Sequence, residues 1–79
     1  MSGLLYITTN DCPLCEHGRE VLDKLGVARR EIADSSEEAA ALAERGIPLA
    51  FMPVLTDGSR VIAYGRLSDK RLRKELLPL

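Results

Sequence analysis

The sequence predicts one α/β domain over residues 1–79, in the order β-α-β-α-β-β-α, and three observations predict it. Short apolar, partly β-branched runs alternate with stretches whose apolar residues recur at helical spacing, the pattern of a βαβ unit with a parallel strand pair. Later, two such runs flank Asp57-Gly58, the signal of an antiparallel hairpin ahead of a closing helix. The 79 residues, 46% hydrophobic and 29% charged, make a chain too apolar for disorder and too short for a second core.

The first strand is Leu4 to Thr8, an apolar run that ends at the turn-prone Thr9-Asn10-Asp11. From Pro13, Leu14, Gly18, Val21, Leu22 and Leu25 follow a helical spacing, and Gly26 stands where the residue just past a helix C-terminus belongs. Val27 to Ala33 alternates imperfectly around Arg29, Arg30 and Glu31 and reads as a second, edge-like strand. Ser35 or Ser36 caps the second helix, with Glu37 and Glu38 in its first turn and a narrow apolar stripe of Ala39, Ala40, Leu42 and Ala43 ending near Gly46. Val54 to Thr56 and Arg60 to Tyr64 are the hairpin strands, because Asp57-Gly58 supplies the positive φ angles of a tight two-residue turn. Ser68-Asp69 caps the last helix; Leu72, Leu76 and Leu77 point inward, Lys70, Arg71, Arg73 and Lys74 face water, and Pro78 stops it. No internal repeat, linker or low-complexity stretch is present.

Eleven basic against twelve acidic residues remove the positive excess that sequence-independent nucleic-acid binding needs. The charge is uneven, net −4 over residues 1–40 and +3 over 41–79, a dipole that can orient a partner. Leu4-Leu5-Tyr6-Ile7 is far too short for a secretory segment or a membrane span, so a cytoplasmic protein is expected. In that compartment two cysteines are a catalytic, redox-sensing or metal-binding pair sooner than a permanent staple.

Cys12-Pro13-Leu14-Cys15 opens the first helix. A sulfur at that end meets unpaired backbone N–H groups and the positive end of the helix dipole, both of which favour the thiolate that attacks disulfides. Pro13 suits the first helical position, where its missing N–H costs nothing. Cys12 is therefore read as the nucleophile and Cys15, a turn further in, as the resolving thiol. Asp11 and Glu16 oppose the dipole by like-charge repulsion, so Cys12 is expected to be only moderately acidified. A zinc site needs about four ligands, and two cysteines plus His17 supply one only if two subunits share the metal. Covalent haem attachment is excluded, because Glu16 stands where the histidine is needed and His17 comes one place late. His17 itself reads as a surface helix residue. The remaining alternatives are a metal- or cluster-binding dimer with the cysteines as ligands, and a redox-regulated interaction module using the apolar stretch Ile47 to Met52.

The strand-Cys12-Pro13-Leu14-Cys15-helix start, Met52-Pro53 before a strand, and Gly65 with Ser68-Asp69 opening the final helix together resemble the glutaredoxin and small thioredoxin-like redoxins. The likeness covers essentially the whole chain. It implies a thioredoxin-like fold, a four-stranded mixed sheet with the first strand central and three helices, and a dithiol-disulfide oxidoreductase activity in electron transport and cell redox homeostasis. Cys12 and Cys15 are then catalytic; Pro13, Leu14, Met52, Pro53, Gly65, Ser68 and Asp69 are substrate-binding. The family also implies a cis proline facing the CxxC, whose preceding backbone pairs with the substrate. Pro48 and Pro53 compete for that role. Pro53 is preferred, since a strand following Pro48 would run through Pro53 and lose a ladder hydrogen bond.

The implied partners of this monomer are a disulfide-containing protein substrate and an electron donor, either glutathione or thioredoxin reductase, with no nucleic acid and no membrane. No metal or resident cofactor is implied, glutathione entering as a co-substrate. Glutathione-using members carry a basic residue three before the first cysteine and an aromatic between the cysteines, where this chain has Thr9 and Leu14. The spacing Gly65-Arg66-Leu67-Ser68-Asp69 is nearer the redoxins reduced by thioredoxin reductase.

Overall fold

Among the described residues, seven elements follow in the expected order: β1 (Leu5–Thr8), α1 (Pro13–Lys24), β2 (Arg30–Ala33), α2 (Glu37–Glu44), β3 (Val54–Thr56), β4 (Val61–Tyr64) and α3 (Asp69–Leu76). The computed structural model describes residues 3–76, so the inward Leu77 and the helix-stopping Pro78 lie outside the described residues. The strands form one mixed sheet in the order β2-β1-β3-β4, with β1 interior, parallel to β2 and antiparallel to β3. No described helix is long and apolar enough to cross a membrane.

Strand alternation gives each face of the sheet its own core. Tyr6 and Leu55 point to one side, where they meet Leu22 of α1, Leu72 of α3 and Leu67. Ile7 and Val54 point to the other, against Ile32 and against Ala39 and Leu42 of α2. Two helices thus cover one face and one helix the other. Leu22, Leu55 and Leu72 are fully buried, and each such side chain contributes roughly 1.5–3 kcal/mol relative to exposure.

Three departures from the sequence reading have a local reason. The second strand was expected from Val27 but begins at Arg30. The Val27 N–H bonds to the Leu22 carbonyl and the Gly26 N–H to the Asp23 carbonyl, with Gly26 at φ 69°. These residues close α1 as a Schellman turn and are not free to join a ladder. In α2 only Ala39 and Leu42 of the four-residue stripe are buried, while Ala40 and Ala43 are exposed. A helix of eight residues touches the sheet along one line, and Ile47, bonded through its N–H to the Leu42 carbonyl, extends that line. Of the two candidate caps, Ser36 takes the role, its hydroxyl accepting from the Ala39 N–H at 3.1 Å.

The hairpin is the third difference, being wider than a two-residue turn. Gly58 has φ 94°, whereas Asp57 stays out of the left-handed region. The Asp57 carboxylate accepts from the N–H groups of Ser59 at 2.8 Å and Arg60 at 3.0 Å. The Thr56 hydroxyl accepts from the Gly58 N–H and donates to the Arg60 carbonyl. Side chains thereby take the groups a ladder would pair, so β4 starts at Val61 and the register slips between Leu55 and Thr56. Those N–H groups, Arg60's first, hold the Asp57 carboxyl below its usual range.

One surface ion pair links α1 to the edge strand β2: the Arg19 guanidinium donates through two nitrogens to Glu31, which also accepts from Thr8. The Arg19 hydrogen bond holds the Glu31 carboxyl below its ordinary value of 4.5. A carboxyl depressed in the folded state stabilises above its unfolded pKa and loses that contribution as pH falls through the folded one. Glu31→Gln is expected to cost up to about 1 kcal/mol at neutral pH, the pair being a third exposed. The parent's advantage in urea denaturation should shrink steadily from pH 5 toward pH 3, and a difference independent of pH would contradict the pairing.

Candidate active site

Strand β1 delivers the chain to the site. Beyond Thr8 the backbone turns through Asn10 and Asp11, and Asp11 adopts φ 51°, a left-handed conformation that aspartate tolerates better than most residues. The turn places Cys12 as the N-cap of α1, in extended conformation, with Pro13 in the first turn. The Cys12 sulfur accepts from the Cys15 N–H at 3.1 Å, and the Cys12 carbonyl accepts from the N–H groups of Cys15 and Glu16. A sulfur in this position faces the unpaired amides and the positive end of the helix dipole, the setting that stabilises a thiolate.

A disulfide joins Cys12 to Cys15, whose Cα atoms are 5.2 Å apart. The two ends are unequal. Cys12 is partly exposed, whereas Cys15 is 1% exposed on the inner face of α1 with Gly18 and Leu22. A reagent in water can therefore approach the first sulfur and not the second. The nearest acidic groups in sequence, Asp11 and Glu16, are exposed.

Register brings distant residues to the same end of the sheet. Ile7 pairs with Val54 and Val54 with Tyr64, so Pro53 comes level with Thr8 and Gly65 lies beyond Tyr64 at that end. The Gly65 N–H bonds to the Pro53 carbonyl at 2.8 Å, and Gly65 has φ 68°. The Met52-Pro53 peptide bond is cis, in agreement with the preference for Pro53 over Pro48. Pro53 is buried and Met52 half-buried.

Three large apolar side chains are exposed among the described residues, Leu14 at 39%, Phe51 at 65% and Tyr64 at 55%. All three belong to this end. The rings of Phe51 and Tyr64 lie 5.9 Å apart and, with Pro48, line a cleft of about 210 Å³, large enough for one apolar side chain. The sequence reading takes Ile47 to Met52 as an apolar surface, but Ile47 is buried in the core under α2 and Leu49 and Met52 pack against it, so that Phe51 is the large apolar side chain this stretch exposes; its partner Tyr64 is not anticipated. Tyr64 is 13 residues beyond Phe51 and carries no local signal beyond ending a strand.

Ser68 and Asp69 open α3. The Ser68 hydroxyl accepts from the Arg71 N–H as the cap of α3, and the Asp69 carboxylate pairs with Arg73 and with Lys24 in the last turn of α1. They share a groove of about 410 Å³ with His17, Val21, Lys24, Arg66 and Leu67, along the flank of α1. His17 is half-buried there, and its Nδ1 has no hydrogen-bond partner. Among the described residues no three His, Cys, Asp or Glu side chains come together to hold a metal ion.

Compared with known proteins, the chain matches no family model and no curated protein. The chemistry of the site therefore rests on its geometry. The arrangement suits two-electron exchange between a dithiol and a disulfide, with one sulfur accessible and the other held in reserve.

Proposed function

We propose that this chain is a small cytoplasmic dithiol-disulfide oxidoreductase of the glutaredoxin and thioredoxin-like type, with a thioredoxin fold, acting on protein disulfides. The observation that carries the reading is the inequality of the two sulfurs, Cys12 partly exposed at the N-cap of α1 and Cys15 buried one turn inside. The Cys12 thiolate attacks one sulfur of the substrate disulfide; that bond breaks, and the departing thiolate takes up a proton. The Cys15 thiolate then attacks the Cys12 sulfur and releases the second substrate thiol. The substrate gains two electrons, and the protein is left with the disulfide described above. A dithiol-regenerating reductase or two molecules of glutathione return it to the reduced form.

The apolar end of the sheet supports a polypeptide substrate over glutathione. Leu14, Phe51 and Tyr64 offer an exposed apolar rim, while the conspicuous charges beside Cys12 in sequence are Asp11 and Glu16, which disfavour a small anion. Reduction of insulin by the reduced protein tests the activity directly. The paired substitution Phe51→Ser and Tyr64→Ser is expected to slow insulin reduction about fivefold, the worth of roughly 1 kcal/mol of aromatic contact. Reduction of hydroxyethyl disulfide should be unaffected. Equal slowing of both substrates would remove the rim from the account.

A further inference from the structure

Tyr6 is an apolar-strand residue whose hydroxyl the mechanism so far leaves unused. It is completely buried on β1, and the hydroxyl donates to the main-chain carbonyl of Cys15 at 2.9 Å. The contact depends on a glycine: a Cβ at Gly18 would overlap the Tyr6 hydroxyl and stand 3.1 Å from its ring carbon Cζ. Burial also pushes the phenol up to about 12, so it remains a donor across the working pH range. The other hydrogen bonds that organise Cys12 and Cys15 run within the first turn of α1 itself. Tyr6 reaches the turn from the sheet.

We propose that Tyr6 is a positioning residue for the resolving thiol: its hydroxyl ties the Cys15 carbonyl to β1 and keeps the Cys15 sulfur within reach of the Cys12 sulfur when no disulfide joins them. The inference rests on the dithiol reading of the site and concerns its second step. In the mixed disulfide the internal Cys12–Cys15 bond is absent, and the first turn has lost its covalent clasp. Attack by the Cys15 thiolate forms the Cys12–Cys15 bond, breaks the bond from Cys12 to the substrate sulfur, and sends the substrate away as a thiolate that takes a proton. The rate of such an intramolecular step follows the fraction of time the two sulfurs are aligned. The first step, attack by Cys12 on a disulfide in solution, makes no demand on Cys15.

Three quantities separate these steps in the purified protein: formation of the mixed disulfide with hydroxyethyl disulfide, its first-order resolution, and the equilibrium of the internal disulfide with dithiothreitol. Tyr6→Phe should leave formation unchanged. Resolution and the equilibrium constant for internal disulfide formation should each fall about three- to tenfold, the factor that one neutral hydrogen bond is worth. Ile62→Val trims the same core without touching Cys15 and should alter none of the three. If Tyr6→Phe does not fold in buffer alone, the same three quantities are compared for parent and variant in sucrose, which favours the compact state, and should show the same signature.

Unchanged resolution in the folded variant overturns the proposal. So does a parallel loss in formation and resolution, which would mark Tyr6 as merely structural. Failure of the parent to reduce insulin would instead overturn the dithiol reading, and the dithiothreitol equilibrium would still decide whether Tyr6 aligns the two sulfurs.

Discussion

Cys12→Ser should reduce insulin turnover to the uncatalysed background, whereas Cys15→Ser should stop the cycle one step later with substrate still attached. The two outcomes follow from the unequal exposure of the sulfurs. A serine hydroxyl at the N-cap still accepts the Cys15 N–H, so the helix start survives. What it lacks is an ionised, polarisable nucleophile near neutral pH, and no second thiol can substitute because Cys15 is sealed within the inner face of α1. With Cys15 replaced, Cys12 still attacks, but nothing displaces the bound partner. Mass spectrometry of the intact protein should find a stable adduct that dithiothreitol removes. Retained turnover in Cys12→Ser would refute the nucleophile assignment.

The largest effect on stability is expected at Gly18. Alanine there would ordinarily help a helix by about 1 kcal/mol over glycine. Here its Cβ meets the buried Tyr6 hydroxyl and comes within 3.0 Å of a Leu67 methyl. Neither neighbour can swing away, because Tyr6 is enclosed by the core and Leu67 is 1% exposed. Forcing atoms into a packed interior costs typically 1–3 kcal/mol, and breaking the bond to the Cys15 carbonyl costs about 1 kcal/mol more. After the helix-propensity gain, Gly18→Ala is expected to lose about 2 kcal/mol in urea denaturation, a large share of the stability of so small a domain. Adding Tyr6→Phe removes the oxygen that the methyl strikes and should recover about half of that loss. Two additive penalties in the cycle would show that the residues do not meet as described.

Part of the site is legible in the local sequence alone. The start of α1 at Pro13, its closure by Gly26 and the choice of Pro53 over Pro48 follow from short-range chemistry: a ring with no N–H, a left-handed cap, a ladder that proline would interrupt; that one of the two prolines is cis is what the family resemblance implies. The errors at Val27 and Arg60 are of another kind. Both residues look strand-like from their neighbours, yet backbone groups around them are taken first, by the Schellman turn after α1 and by the side chains of Thr56 and Asp57. Hydrogen-bond competition of this sort is invisible to alternation alone.

The sequence by itself determined the order of elements, the proline that opens α1 and the glycine that closes it, and the two sulfurs one helical turn apart, since these depend on residues within a few positions of one another. Only the tertiary structure decided that Tyr64 stands against Phe51, that Pro53 comes level with Thr8, that Asp69 turns to Lys24, and that the Tyr6 hydroxyl rests on the Cys15 carbonyl in the gap left by Gly18. Those contacts join separate segments of the chain. They are set by strand register and by which helix covers which face, properties of the assembled sheet that no local preference encodes.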